Sequence, residues 1–169
     1  SDLELGGTDQ KFNLLMGRPI MEAYGLAPQS VLTVPLLVGT DGEQKMSKSY
    51  GNYVGVNDEP HDMFGKVMSI PDSIMITYWS LLTGASKQEL EAIERRLASG
   101  EYHPAEAKRD LAERLVTLYH SAEAGQDARS HFDRVFKEKD DPEDMAEVGL
   151  PPEVVIGGVV WIPRLLTIL

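Results

Sequence analysis

The chain has 169 residues, no cysteine and a formal net charge of −11, from 16 Lys and Arg against 27 Asp and Glu. That length holds one domain or two small ones, and a chain of this size with 42% apolar residues buries roughly 70% of its extended surface, which excludes disorder throughout. The missing cysteines exclude disulfides, thiolate metal sites and a cysteine nucleophile, the acidic balance argues against broad adhesion to nucleic acid, and no apolar run reaches the ~20 residues of a membrane helix.

Ser1-Asp2-Leu3-Glu4 lacks the basic and apolar blocks of a signal peptide and leads at once into a glycine turn, Leu5-Gly6-Gly7-Thr8. The far end stops in the apolar stretch Val159 to Leu166, so both ends are expected to be cuts in a longer protein. After the turn, Phe12, Leu15 and Met16 recur at helical spacing and Gly25 stops the helix, with a kink or restart expected near Arg18 because Pro19 lacks a backbone donor. Val31 to Val38 is β-branched and nearly all apolar, which predicts a strand covered on both faces, and Gly39-Thr40-Asp41-Gly42 ends it. Glycine turn, helix, buried strand and polar loop together read as a fragment of parallel α/β architecture.

From Asn57 the pattern turns helical. Pro60 and Pro71 suit first turns, where the missing amide hydrogen costs nothing. Ile74, Met75, Tyr78, Leu81 and Leu82 form a stripe that ends at Gly84. Ser86-Lys87-Gln88-Glu89 is a capping box for a helix carrying Leu90, Ile93 and Leu97 to a stop at Gly100. A longer helix from Pro104 carries Ala107, Leu111, Leu115, Leu118, Tyr119 and Ala122, with an interruption expected at Gly125 and a continuation through Ala128, Phe132, Val135 and Phe136 to about Lys139. Leu150-Pro151-Pro152 with Gly157-Gly158 reads as a connector. The expected organisation is α/β moving into all-α: a partial Rossmann-like parallel sheet over residues 1–56, a helical bundle over 57–141 and a linker over 142–169.

Two segments carry candidate chemistry. In Lys45-Met46-Ser47-Lys48-Ser49, two ammonium groups three residues apart alternate with hydroxyls in a loop after a strand, where open parallel sheets bind their ligands. A solvated surface loop is the competing reading. In Gly6-Gly7-Thr8-Asp9-Gln10, adjacent glycines admit a ligand to the backbone, amides point from a helix start, Asp9 can accept from ribose hydroxyls and Gln10 offers both a donor and an acceptor. An ordinary strand-to-helix turn capped by Asp9 is the alternative there. His61, His103, His120 and His131 lack metal spacing and read as surface or packing residues, and no metal site is expected.

In this order, the two segments resemble the class I aminoacyl-tRNA synthetases, and among them the tyrosyl branch. Lys45 to Ser49 matches the KMSKS signature of that class letter for letter; Leu5 to Leu15 and Asp62 to Pro71 look like the tyrosyl branch. The resemblance spans nearly the whole chain. It implies that residues 57–141 form an anticodon-stem domain and that 142–169 lead into a truncated S4-like RNA-binding domain. It also implies an activity: tyrosine attacks ATP to give tyrosyl-adenylate, and the tyrosyl group passes to tRNA(Tyr). Lys45 and Lys48 would be the catalytic cations, with Lys48 foremost on ATP. Met46, Ser47 and Ser49 would complete the ATP loop; Gly6, Gly7 and Asp9 would hold the adenylate, and Gln10 would lie near the tyrosyl carboxyl. Mg²⁺ would ride on the phosphates.

A cytoplasmic homodimer without membrane or DNA partners is implied too. The HIGH tetrapeptide of the class does not occur in the chain, so half of the nucleotide site is expected upstream of Ser1 and the isolated chain is expected to be inactive. A tRNA-binding helical module without catalysis is one alternative, with Arg95, Arg96, Lys108, Arg109 and Arg114 as candidate phosphate contacts unless neighbouring carboxylates neutralise them. A tryptophanyl relative is the other; the doubled Gly6-Gly7 and Lys11-Phe12-Asn13 favour tyrosine.

Overall fold

A computed structural model describes residues 1–136, 155–156 and 159–160. Strand β1 (Leu3–Gly7) runs through a single 3-10 turn (Thr8–Gln10) into helix α1 (Lys11–Ala23), and the chain returns as β2 (Ser30–Val34). The strands pair in parallel with Leu3 opposite Ser30 and Gly7 opposite Val34. Gly25 sits at a φ of 72°, the left-handed turn that ends α1. The helix runs through Pro19 without a break in its assignment, contrary to the expected restart, and Arg18 donates to the Gln29 carbonyl to tie it to the sheet.

The expected strand, covered on both faces over Val31 to Val38, is corrected in two ways. β2 stops at Val34 because Pro35 has no N–H to extend the ladder. Among the described residues only one face of the pair is covered: α1 lies over Gly6, where a Cβ would come within 2.8 Å of Leu14, the one apolar residue they bury in this part. The opposite face, Leu3, Leu5, Leu32 and Val34, is more than half exposed, as is Phe12 on α1. The apolar composition of this region was legible; which face meets a neighbour was not, since that depends on strands and helices distant in the chain.

The buried core lies in the helices α2 (Pro60–Ser69), α3 (Asp72–Leu82), α4 (Lys87–Ala98), α5 (Pro104–Tyr119) and α6 (Ala122–Phe136). Pro60 and Pro104 occupy first-turn positions, and the Ser86 hydroxyl accepts from the Glu89 amide at 3.2 Å, half of the expected capping box. Phe64, Val67, Tyr78, Leu111 and Val116 are buried at the centre, where α2 packs along α5. On α3, Trp79 and not Leu81 completes the buried stripe.

The long C-terminal helix breaks at His120 and Ser121, four residues before the expected interruption. Ser121 caps α6 by accepting from the Ala124 amide. Gly125 is buried within α6 instead: a Cβ there would stand 2.5 Å from Thr117 Oγ1 and 3.0 Å from the Glu113 carbonyl, so this glycine lets two helices approach closely. Arg129 of α6 holds Asp110 at 2.6 Å, Glu113 at 2.8 Å and Glu106 at 3.2 Å, all on α5.

Residues Ser1–Asp133 form one compact unit and Arg134–Leu169 a second. In the second, β3 (Val155–Ile156) pairs antiparallel with β4 (Val159–Val160), so part of the expected connector is a strand pair. The rest of the expected linker, Pro151 and Pro152 included, lies outside the described residues. Among the described residues no helix is long and apolar enough to cross a membrane.

Candidate functional site

The two segments singled out in the sequence meet. Gly6 and Gly7 end β1, and the following 3-10 turn places Asp9 beyond the carboxyl end of the parallel pair. Past β2 the chain folds into a narrow stem, with the Gly39 amide donating to Gln44 O at 2.8 Å and the Met46 amide to Leu37 O at 2.8 Å. That stem brings the Lys45 ammonium to Asp9 Oδ2 at 3.0 Å, across 36 residues of sequence. Gly7 is required at this junction, because a Cβ would lie 2.7 Å from Asp9 Oδ1 and 2.8 Å from Leu36 Cδ2.

The Lys45 hydrogen bond holds the Asp9 carboxyl below the usual carboxylate range, and Asp9 raises the Lys45 ammonium in turn. Both groups are therefore charged throughout the neutral range, and the pair is partly exposed. Solvent screening keeps such a bridge weak, so it can exchange partners.

Lys48 opens a second 3-10 turn (Lys48–Tyr50); its ammonium is exposed and has no partner among the described residues. Ser47 caps this turn: its hydroxyl accepts from the Ser49 amide at 3.2 Å and lies 3.2 Å from the Ser49 hydroxyl. Gly51, at a φ of 66°, reverses the chain. Gln10 sits at the start of α1, where its side-chain Oε1 accepts from Asn13 Nδ2 at 2.9 Å. Met46 packs against the apolar core of the bundle and lines a cavity of about 210 Å³ there with Leu37, Val54, Tyr78 and Leu115, a side-chain direction that the loop motif did not reveal.

Two residues without an assigned role in the sequence organise this loop. The Asn52 carboxamide, 5% exposed, accepts from the Ser47 amide at 2.8 Å and donates to Asp41 Oδ2 at 2.6 Å and to the Lys45 carbonyl at 3.2 Å. Asp41 Oδ1 accepts from the amides of Glu43 and Gln44 at 2.9 and 3.0 Å. The Glu43 amide first, then Asn52, lowers the Asp41 carboxyl below its ordinary value. The signal available for them was residue type: Asp in a glycine turn and Asn after glycine commonly bond nearby backbone. The stem is also fastened to the bundle, since the hydroxyl of buried Tyr78 donates to the Val38 carbonyl at 2.7 Å.

The bundle's cations are largely committed to carboxylates. Arg96 pairs with Glu101, Lys108 with Asp72 at 2.6 Å, Arg109 with Glu106 and Asp133, and Arg114 with Glu89 at 2.5 Å. Neutralisation by neighbouring carboxylates, one of the two readings, is what the geometry of these four supports, while Arg95 donates to the backbone carbonyl of Glu91. His61 stacks on His131 with centroids 4.2 Å apart and meets Asp127, while His103 caps α5.

The family model described as tRNA synthetases class I (W and Y) matches residues 1–137. Over 166 residues the chain is 47% identical to a tyrosine–tRNA ligase of Carboxydothermus hydrogenoformans and 49% identical to one of Moorella thermoacetica. These alignments cover 98% of this chain and 40% and 39% of those proteins. The chain therefore spans about two fifths of the length of these curated relatives. A solved tyrosyl-tRNA synthetase of Archaeoglobus fulgidus, complexed with L-tyrosine, superposes with a TM-score of 0.59 at 25% identity, over 76% of this chain and 46% of that one. The match over residues 1–137 takes in the glycine turn, the parallel strand pair, the Lys45–Ser49 loop and the helical bundle, and the chain belongs to the class I tRNA synthetases of the W and Y family.

Proposed function

We propose that the chain supplies the phosphate-gripping part of a tyrosine–tRNA ligase. The observation that carries this reading is the 3.0 Å contact between Lys45 of the KMSKS loop and Asp9 of the glycine turn, which brings a cation for phosphate beside an acceptor for ribose hydroxyls. The tyrosine–tRNA ligases aligned above support the choice of amino acid.

In the reaction, a carboxylate oxygen of tyrosine attacks the α-phosphorus of ATP, the bond to the β-bridging oxygen breaks and pyrophosphate leaves. The tyrosyl group then passes from the adenylate to the terminal adenosine of tRNA(Tyr). Negative charge builds on the β- and γ-phosphates, and preorganised cations stabilise it. Lys48, exposed and without a partner among the described residues, takes these oxygens first. Lys45 joins it by exchanging the Asp9 carboxylate for phosphate, which releases Asp9 to the ribose. Ser47 and Ser49 keep the loop turn closed, Gly6 and Gly7 admit the nucleotide to the backbone, and Gln10 lies at the tyrosyl carboxyl. Mg²⁺ enters on the phosphates as part of the substrate. The bundle over 57–141 serves as the anticodon-stem domain, and a cytoplasmic homodimer is the expected setting of the complete protein.

Pyrophosphate exchange by the complete protein tests the reading. Tyrosine-dependent exchange is expected, with Lys48→Ala lowering adenylate formation about 10²-fold and leaving tyrosine affinity unchanged. Tryptophan-dependent exchange would move the protein to the other branch of the family, and no exchange with either amino acid would overturn the proposal.

A further inference from the structure

A loop that aims two lysines needs its own backbone held, because each ammonium stands at the end of a flexible four-carbon stem. Lys45 and Lys48 are both exposed, and among the described residues the hydroxyls of Ser47 and Ser49 bond only within the turn. Besides the bond of the Met46 amide to Leu37 O, what fixes the backbone of the segment from outside is Asn52. Its carbonyl oxygen takes the Ser47 amide and its nitrogen holds the Lys45 carbonyl, so one planar group sets the backbone at two points that flank Met46. The orientation of that group is determined, since the Asp41 carboxylate accepts only and must face the Asn52 nitrogen. Asp41 is held in turn by two backbone amides, and the backbone carbonyl of Asn52 accepts from the Thr40 amide at 2.9 Å. Gly39 leaves room for this arrangement, because a Cβ there would overlap the Asn52 carboxamide.

We propose that Asn52, acting with Asp41, is a positioning residue: the pair latches the Lys45–Ser49 loop in the posture from which its ammonium groups reach the phosphates of ATP. The latch rests on the ligase reading for its ligand, and on the hydrogen bonds alone for its existence. A displacement of about 1 Å in a group that positions substrate costs on the order of 10²-fold in rate, which is the scale of effect at stake.

The test uses Asn52→Asp in the complete protein, which keeps size and shape but sets a carboxylate against Asp41 and removes the donor to Lys45. Adenylate formation should lose ten- to a hundredfold in kcat/KM for ATP, with the KM for tyrosine within about twofold of wild type. Hydrogen exchange of the Lys45 to Ser49 amides should accelerate about tenfold. The swap of Asp41→Asn with Asn52→Asp restores a donor between the two side chains but not the one to the Lys45 carbonyl, and should recover part of both effects. If the aspartate variant does not fold, Asn52→Ser takes its place in the same comparison.

Unchanged exchange across the whole Lys45 to Ser49 segment would overturn the latch, as would parallel losses for ATP and tyrosine that the swap leaves uncorrected. Faster exchange with unaltered ATP kinetics would overturn its positioning role. If the wild type shows no ATP chemistry, the ligase reading fails by itself, and the exchange comparison still decides whether Asn52 holds the loop.

Discussion

Replacing Tyr78 with phenylalanine removes a single oxygen atom and tests whether the loop stem is fastened to the bundle. The Tyr78 ring is fully buried, so Phe fits the same space and no cavity opens beyond the hydroxyl. Its hydroxyl donates to the Val38 carbonyl at 2.7 Å, and among the described residues that carbonyl has no other hydrogen-bond donor. Leaving a half-buried acceptor unpaired costs about 1–2 kcal/mol. With a urea dependence of roughly 2 kcal/mol per molar, the unfolding midpoint of Tyr78→Phe should fall by about 0.5–1 M. The Met46 amide, which closes the stem, should exchange faster in the variant.

The pH dependence follows from the same burial. Desolvation, and then the charge of Asp41, raises the Tyr78 hydroxyl to about 12. An acid whose folded value is raised adds stability that is complete below its unfolded value of about 10 and is lost as pH climbs through the folded one. The difference between wild type and variant should therefore be flat across neutral pH and shrink only above about 10. A midpoint for Tyr78→Phe equal to or above wild type, or a difference that vanishes near neutrality, would refute the fastening.

The remaining predictions concern close approaches and charge. Gly7→Ala places a methyl against Asp9 and Leu36, so about 1–3 kcal/mol of stability should be lost, and the Asp9–Lys45 contact should open, which ¹⁵N shifts of the Lys45 ammonium would report. Gly125→Ala sets a helix-propensity gain of about 1 kcal/mol against contacts at 2.5 and 3.0 Å. The backbone carbonyl of Glu113 cannot rotate away, so net destabilisation is expected, with partial recovery in Gly125→Ala/Thr117→Ala; a stabilised single variant in calorimetry would show that α5 and α6 separate freely. Because Asp9 is lowered and Lys45 raised, their bridge is present above the usual carboxylate range and is lost only as pH falls through the lowered Asp9 value or rises through the raised Lys45 value. Titration of the Asp9 carboxyl by NMR at its ordinary value would contradict the contact.

Local chemistry was readable along the chain wherever it decided structure within about one helical turn. Pro60, Ser86 and Pro104 begin helices and Gly25 and Gly100 end them, because a cap or a left-handed turn involves only residues a few positions apart. The KMSKS loop and the glycine turn were legible as segments for a similar reason: each carries its reactive groups in consecutive residues. By themselves they did not say which lysine meets Asp9, nor that Met46 turns toward the bundle.

Those outcomes belong to tertiary structure. Lys45 reaches Asp9 because a parallel strand pair and a narrow stem close a gap of 36 residues. Asn52 holds the loop because Gly51 folds the chain back beneath it. The helix break falls at Ser121 and not at Gly125 because Gly125 answers to α5, a neighbour in space, while the break answers to a local cap. The one-dimensional pattern determined elements and reactive residue types, since short-range sterics and hydrogen bonding act along the backbone. Which faces are covered, and which charges pair, was decided only when distant segments came within a few ångströms, where burial and hydrogen bonding take effect.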